Sequence, residues 1–164
     1  MDINKRMLDN PFSLEGNTTV ITGAGGAIGG ATAKVFAKAG SNVVVSDLNL
    51  DAANIVAQEI NTEFPGRAIA VKTDVTETND QKALVNKTIK NYGKITTLIN
   101  NVGWGEYTPL FGITKKYMVD SYVLNTVSTY ELSSLFAPYL EKEINASILF
   151  SGSRVGDTPS PEFL

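Results

Sequence analysis

The residues of this chain whose types and spacing suit them best to chemistry are Thr22-Gly23-Ala24-Gly25-Gly26-Ala27-Ile28-Gly29. They follow an apolar, strand-like run, Thr18 to Ile21, and open a helix-like run, Ile28 to Ala39. A glycine turn between strand and helix is the usual seat of a dinucleotide pyrophosphate. Glycine lets the backbone turn tightly and approach phosphate oxygens, while the free N–H groups and dipole of the helix N-terminus favour negative charge. The same glycines also suit an ordinary loop, so the reading depends on partners farther along the chain.

Such partners exist. Asp47 ends the second strand-like run, close to the spacing of about 20 residues at which a carboxylate meets the adenosine ribose of NAD. A carboxylate there accepts hydrogen bonds from ribose hydroxyls and repels a 2′-phosphate. No Lys or Arg stands at Ala24 to Gly26 or at Leu48 to neutralise that phosphate, so NAD is favoured over NADP. The alternative is a strand-end Asp that caps the next helix or is simply solvated. Asp74-Val75 follows the third run. Either Asp74 accepts from an adenine amino group while Val75 packs on the ring, or Asp74 serves a turn before Thr76 as helix N-cap. Asn100-Asn101-Val102-Gly103 closes the fourth run. Its amides can bridge neighbouring strand ends beside a small residue and a glycine that admit a ribose, or the segment is a common turn.

The elements that must position these residues alternate. Strand patterns occupy Thr18–Thr22, Asn42–Ser46, Ala68–Lys72, Thr97–Asn100 and Ser147–Ser151. Between them lie helical patterns. The first shows Ile28, Ala31, Val35, Phe36 and Ala39 at helical spacing and stops at Gly40; the second runs from Asp51 to about Thr62 with Ala52, Ile55, Val56 and Ile60 on one face. The third begins after Thr76 and buries Leu84, Val85, Ile89 and Tyr92. The longest, about Lys116 to Glu141, has Met118, Tyr122, Val123, Leu132, Leu135, Phe136 and Leu140 as its apolar positions. Strands alternating with helices predict one α/β domain, a parallel sheet covered on both faces by right-handed crossovers. Residues 1–15 read as an arm and 154–164, rich in Gly and Pro, as a loop tail.

With 164 residues, 43% of them hydrophobic, the chain can bury a real core. A net charge of −3 without a basic cluster argues against nucleic acid or an anionic membrane as partner. Cysteine and histidine are both absent, which removes disulfides, thiolate sites, Ser-His and Cys-His mechanisms and the common zinc sites. No metal is expected. No signal-peptide core or membrane-length apolar run is evident, so the expected location is cytoplasmic.

The order of motifs resembles the short-chain dehydrogenase/reductase family. It is carried by Thr22-Gly23…Gly29, Asp47, Asp74-Val75, Asn100-Asn101-Val102-Gly103, Asn125 and Ser151-Gly152-Ser153, and extends from about Leu14 to Ser153. Within the family the similarity runs to bacterial 7α-hydroxysteroid and 3-oxoacyl carrier-protein members; Asp47-Leu48-Asn49 and Asp51-Ala52-Ala53-Asn54 look particularly like the former. The resemblance implies a Rossmann-type doubly wound parallel sheet, strand order 3-2-1-4-5, lacking the family's C-terminal strands. It also implies an oxidoreductase passing a hydride between NAD and a secondary alcohol or ketone, and a homo-oligomer in the full-length protein. By position it assigns the cofactor to Thr22, Gly23, Gly25, Gly26, Ala27, Ile28, Gly29, Asp47, Leu48, Asp74, Val75, Asn101, Val102 and Gly103. Ser153, ahead of Ser151, would hold the substrate oxygen. Asn125 would fix a helix kink and a water of the proton relay.

Departures from the family sharpen these expectations. Ala27 stands where the family has its central glycine, with Gly26 one place earlier, and Val102 replaces a usual Ala. The family's Tyr-x-x-x-Lys pair falls beyond Leu164. None of Tyr92, Tyr107, Tyr117, Tyr122, Tyr130 or Tyr139 has a lysine four residues on. The chain as given is therefore expected not to turn over substrate, and Leu132, Leu135, Phe136, Tyr139 and Leu140 either offer an apolar stripe to solvent or, for about half of them, are buried against the sheet. A non-catalytic dinucleotide-binding or interaction protein is the second functional class. Trp104, Tyr107, Leu110 and Phe111 either line an apolar substrate pocket or pack their loop onto the long helix.

Overall fold

The computed structural model describes residues 11–105 and 112–153. The expected arm up to residue 10, the loop positions Tyr107, Leu110 and Phe111, and the expected tail at 154–164 lie outside the described residues. Five parallel strands alternate with helices. In chain order they are β1 (Thr18–Thr22), α1 (Ala27–Lys38), β2 (Asn42–Asp47), α2 (Leu50–Glu63), β3 (Ala68–Lys72), α3 (Thr78–Tyr92) and β4 (Thr97–Asn100). There follow α4 (Lys115–Tyr122), a π-helical turn (Val123–Val127), α5 (Ser128–Leu140) and β5 (Ser147–Phe150). The strand order is β3-β2-β1-β4-β5, as the resemblance implies. β1 sits centrally, with Val20 opposite Val44 of β2 and Leu98 of β4.

The period-2 alternation of the strands divides the core in two. Ile21, Val43 and Val45 join Ala33, Ala37, Val56 and Ile60 of α1 and α2 on one face. Val20, Val44 and Leu98 join Leu84 and Val85 of α3 and Leu132, Phe136 and Leu140 of α5 on the other. β1 through β4 are thus covered on both faces, which is why their sequences read as continuous apolar or Thr-rich runs.

Four sequence expectations are corrected. The face of α1 that meets the sheet is Gly29, Gly30, Ala33 and Ala37, while Ile28 is 75% and Val35 65% exposed. The reason is depth. At Gly29 a Cβ would stand 2.4 Å from the Gly23 carbonyl oxygen, so the helix lies too close for branched side chains. In α2 the inward residues are Ala53, Val56, Ala57 and Ile60, and Ile55 points outward. Thr76 does not cap α3: the N-cap is Glu77, and Thr76 is drawn into a turn by Asp74, whose Oδ1 accepts from its N–H at 2.9 Å and its hydroxyl at 2.6 Å. In the long helix Leu132, Phe136 and Leu140 take the buried alternative rather than the apolar stripe, whereas the apolar positions Met118 and Tyr122 are exposed. That helix is also not continuous, because the π turn at Val123–Val127 separates α4 from α5.

Candidate active site

Because the strands are parallel, their C-terminal ends gather along one edge. There the chain reverses its winding, from β1 outward to β3 and back across to β4. Open α/β sheets present their ligand crevice at this switch point. A cavity of about 650 Å³ occupies it. From the glycine turn it is lined by Gly23, Gly26, Ala27, Ile28 and Gly29, and from the end of β2 by Asp47 and Leu48. Thr73, Asp74 and Val75 follow from beyond β3, Asn101, Val102, Gly103 and Trp104 from beyond β4, and Leu124 from the π turn.

The glycine turn is held from several sides. Gly26 is the N-cap of α1 and makes no side-chain cap, so the first N–H groups of the helix have no side-chain acceptor at this cap and face the cavity end. Ala27 is the first helical residue, exposed on the cavity wall. The N–H of Gly25 donates to Asp47 Oδ2 at 2.9 Å, and the N–H of Asn49 donates to Oδ1 at 2.9 Å. A Cβ at Gly25 would stand 3.0 Å from that carboxylate and 2.9 Å from Ala52 Cβ, so only glycine leaves the acid room. Asp47 does not cap α2. Asn49 does, accepting from the N–H groups of Asp51 at 3.0 Å and Ala52 at 3.2 Å.

Beyond β4, Asn101 spans three strand ends. Its N–H donates to Thr22 Oγ1 at 3.0 Å and its amide NH2 to the Thr22 carbonyl at 3.2 Å, while Ser151 Oγ lies 3.1 Å from its Oδ1. The N–H of Val102 adds a bond to Thr22 Oγ1 at 3.3 Å. Thr22 therefore works beneath the cavity as the fastener of β1 to β4. Asn100 turns elsewhere, donating to Ser133 Oγ of α5 at 3.2 Å.

Asn125 sits inside the π turn, one residue from Leu124 of the cavity wall. Its Nδ2 donates to the Trp104 carbonyl at 2.8 Å and its Oδ1 accepts from the Trp104 N–H at 2.9 Å. This two-point pairing clamps the segment after β4 onto the helix. The Trp104 ring lies 5.2 Å from that of Tyr117 at 52°. Trp104 thus packs on α4 and also lines the cavity. Ser151 is bonded into the strand-end network, and Ser153 is exposed three residues past β5.

The structure brings together twelve of the predicted positions as cavity lining and places Thr22 and Gly25 directly beneath, leaving Asn125 beside it and Ser153 apart. Thr73 and Leu124 were missed, although each adjoins a predicted residue. Thr73 Oγ1 and Gln81 Oε1 are buried without a hydrogen-bond partner. Burial pushes Tyr92 up to about 12, but Tyr92 ends α3, at the opposite end of the sheet from the cavity.

A doubly wound sheet with a glycine turn, a helix N-terminus and an acidic strand end around one crevice defines a nucleotide-binding domain of the dehydrogenase type. The short chain dehydrogenase model matches residues 17–164, and the chain belongs to that family. It is 42% identical over 136 residues to the 7α-hydroxysteroid dehydrogenase of Escherichia coli strain K12, covering 83% of this chain and 52% of that protein. A solved 7α-hydroxysteroid dehydrogenase complexed with NADH and 7-oxo glycochenodeoxycholic acid superposes at a TM-score of 0.86 and 38% identity, covering 92% of this chain and 58% of that one. A 3-ketoacyl-(acyl-carrier-protein) reductase of Brucella melitensis complexed with NADH gives 0.85 at 30% identity, covering 92% and 63%. The chain thus spans about half the length of the hydroxysteroid dehydrogenase it matches. Among the described residues no helix is long and apolar enough to cross a membrane.

Proposed function

We propose that these residues form the cofactor half of an NAD-dependent oxidoreductase acting on a secondary alcohol or ketone. The observation that carries this reading is the convergence of the glycine turn, Asp47, Val75 and the segment Asn101–Gly103 on one cavity. The residues suit the group. The unpaired N–H groups at the start of α1 face where a pyrophosphate would lie, and the contact that forbids a Cβ at Gly29 brings that helix end against the glycine turn. Each oxygen of Asp47 accepts one backbone N–H and keeps a lone pair for a ribose hydroxyl. Val75 offers an apolar wall to adenine, while Asp74 spends one oxygen on its turn and retains the other. The methyl of Ala27 adds to the wall beside the pyrophosphate position, and Leu48 covers the outer rim. A bound NAD would supply the hydride acceptor, and its reduced form the donor. Ser153 is assigned the substrate oxygen, and Asn125 keeps the π turn and Trp104 at the reacting end.

Substrates of the steroid or 3-oxoacyl type follow from the relatives, as do oligomerisation of a longer protein and a cytoplasmic location. Because no tyrosine here is followed four residues on by lysine, the 164-residue chain is expected to bind cofactor without turning over substrate. A purely dinucleotide-binding protein is the second reading, favoured by that same observation. Calorimetric titration with NADH tests the shared core: saturable one-site binding, lost in Gly29→Ala, is expected. Absence of binding to the wild-type chain overturns both. Assay of a longer product of the same reading frame against 7-oxo and 3-oxoacyl substrates then separates the enzyme from the binder.

A further inference from the structure

Gln81 occupies the first turn of α3, is completely buried, and touches neither the glycine turn nor the substrate end. Its amide nitrogen carries two protons, and each has a backbone acceptor. Nε2 lies 2.5 Å from the Val75 carbonyl oxygen and 3.3 Å from that of Ser128. Val75 lines the cavity. Ser128 is the first residue of α5, and its hydroxyl donates to the Leu124 carbonyl at 2.6 Å, next to Asn125. Leu124 also lines the cavity, and Asn125 clamps Trp104, another lining residue. One side chain thus ties together two segments that border the crevice and are far apart in sequence.

The rest of its environment makes this tie costly. Gln81 Oε1 is buried without a partner, in a region otherwise packed with Leu84, Val85 and Leu132. An apolar side chain of the same volume would avoid leaving a polar atom unsatisfied. Simple adhesion between α3 and α5 has a separate provider, the 2.6 Å bond from Thr78 Oγ1 to Glu131 Oε1. That bond holds the same two helices and involves no residue of the cavity wall.

We propose that Gln81 is a positioning residue that fixes the spacing between the Val75 wall and the π-turn wall, and so tunes affinity for a ligand that spans both. The proposal rests on the NAD-site reading above. A dinucleotide spans the two walls, whereas ADP reaches only one. In Gln81→Met, which keeps the volume and removes both donors, NADH affinity is expected to fall about tenfold while ADP affinity stays within about twofold. Trp104, the chain's single tryptophan, reports the far wall. Its emission change on saturation with NADH is expected to shrink in the same variant. Thr78→Val, which loosens the helices without touching the walls, is expected to lower the melting temperature and leave both affinities unchanged.

Equal losses of NADH and ADP affinity, no loss of either, or the same pattern in Thr78→Val would each overturn the proposal. If Gln81→Met does not fold, the side-chain amide protons of Gln81 in the wild type give the answer. Their hydrogen exchange should slow about tenfold or more with NADH and remain unchanged with ADP; equal slowing by both ligands sinks the idea. Failure of the wild-type chain to bind NADH at all would instead remove the site reading itself, and this proposal with it.

Discussion

Asp47 shows how one carboxylate can carry two duties. Both of its oxygens accept backbone N–H groups, from Gly25 and from Asn49, so the acid that would discriminate between cofactors also holds the glycine turn. The two duties separate on substitution. Asp47→Asn keeps one oxygen to accept from Gly25 and drops the charge, so NADP affinity is expected to rise about tenfold with a modest loss for NAD. Asp47→Ala removes the anchor as well, and affinity for both dinucleotides is expected to fall. Calorimetry with NAD and NADP on the two variants checks this; equal gains of NADP affinity would mean the turn does not need the acid. The glycines, Asp47, Asp74-Val75 and Asn101–Gly103 were legible in the sequence because each follows the end of a strand, and parallel strands bring such ends together. Gln81 and Thr73 were not, since their meaning depends on packing. The Gln81 to Ser128 bond joins residues 47 apart, and no local pattern announces it.

At the scale of elements, the strands could be read nearly to the residue, and the positions read for α3 pack inward, while most of those read for α1 and part of those for α2 do not. In α1 both the Ile28–Val35 set and the Gly29–Ala33–Ala37 set recur at helical spacing. Hydrophobicity favours the first. Packing selects the second: Gly29 lies against the glycine turn with no room for a Cβ, and Gly30, Ala33 and Ala37 are buried along the same face. The π turn was equally hidden: Val123–Val127 carries no Pro or Gly, and its break goes with Asn125 spending its amide on Trp104. The assignment of faces is testable in α1. Ala33→Leu, at a position with no exposure, forces extra volume into the core and is expected to cost about 1–3 kcal/mol. It should also weaken NADH binding, since it pushes the helix N-terminus outward. Val35→Lys, though the larger chemical change, is expected to stay within about 0.5 kcal/mol. Chemical denaturation of the two variants decides, and a greater loss in Val35→Lys would invert the assignment.

For the molecule as a whole, the two helical layers among the described residues cover β1 through β4 but not β5. All four residues of β5 are exposed, Phe150 at 60% among them, and the strand also forms an edge of the sheet. A second uncovered surface runs along α4 into α5 through Met118, Val119, Tyr122, Val127 and Tyr130. This differs from the stripe expected from sequence, whose strongest members are buried on α3 and the sheet. An unpaired edge strand with apolar side chains on both faces recruits other chains. The 164-residue chain is therefore expected to associate as its concentration rises through the micromolar range. Ile148 and Phe150 share one face of β5 by strand alternation, so Ile148→Lys with Phe150→Lys places two charges on it. Sedimentation velocity should find the doubly substituted chain monomeric where the wild type associates. NADH affinity should be unchanged within about twofold, because neither residue lines the cavity. A wild-type chain that sediments as a monomer and melts in one cooperative transition would show instead that the edge protects itself. Loss of NADH binding in the charged variant would mean that β5 and the cofactor crevice are coupled through Ser151, whose hydroxyl bonds Asn101 and whose N–H donates to the Asn100 carbonyl.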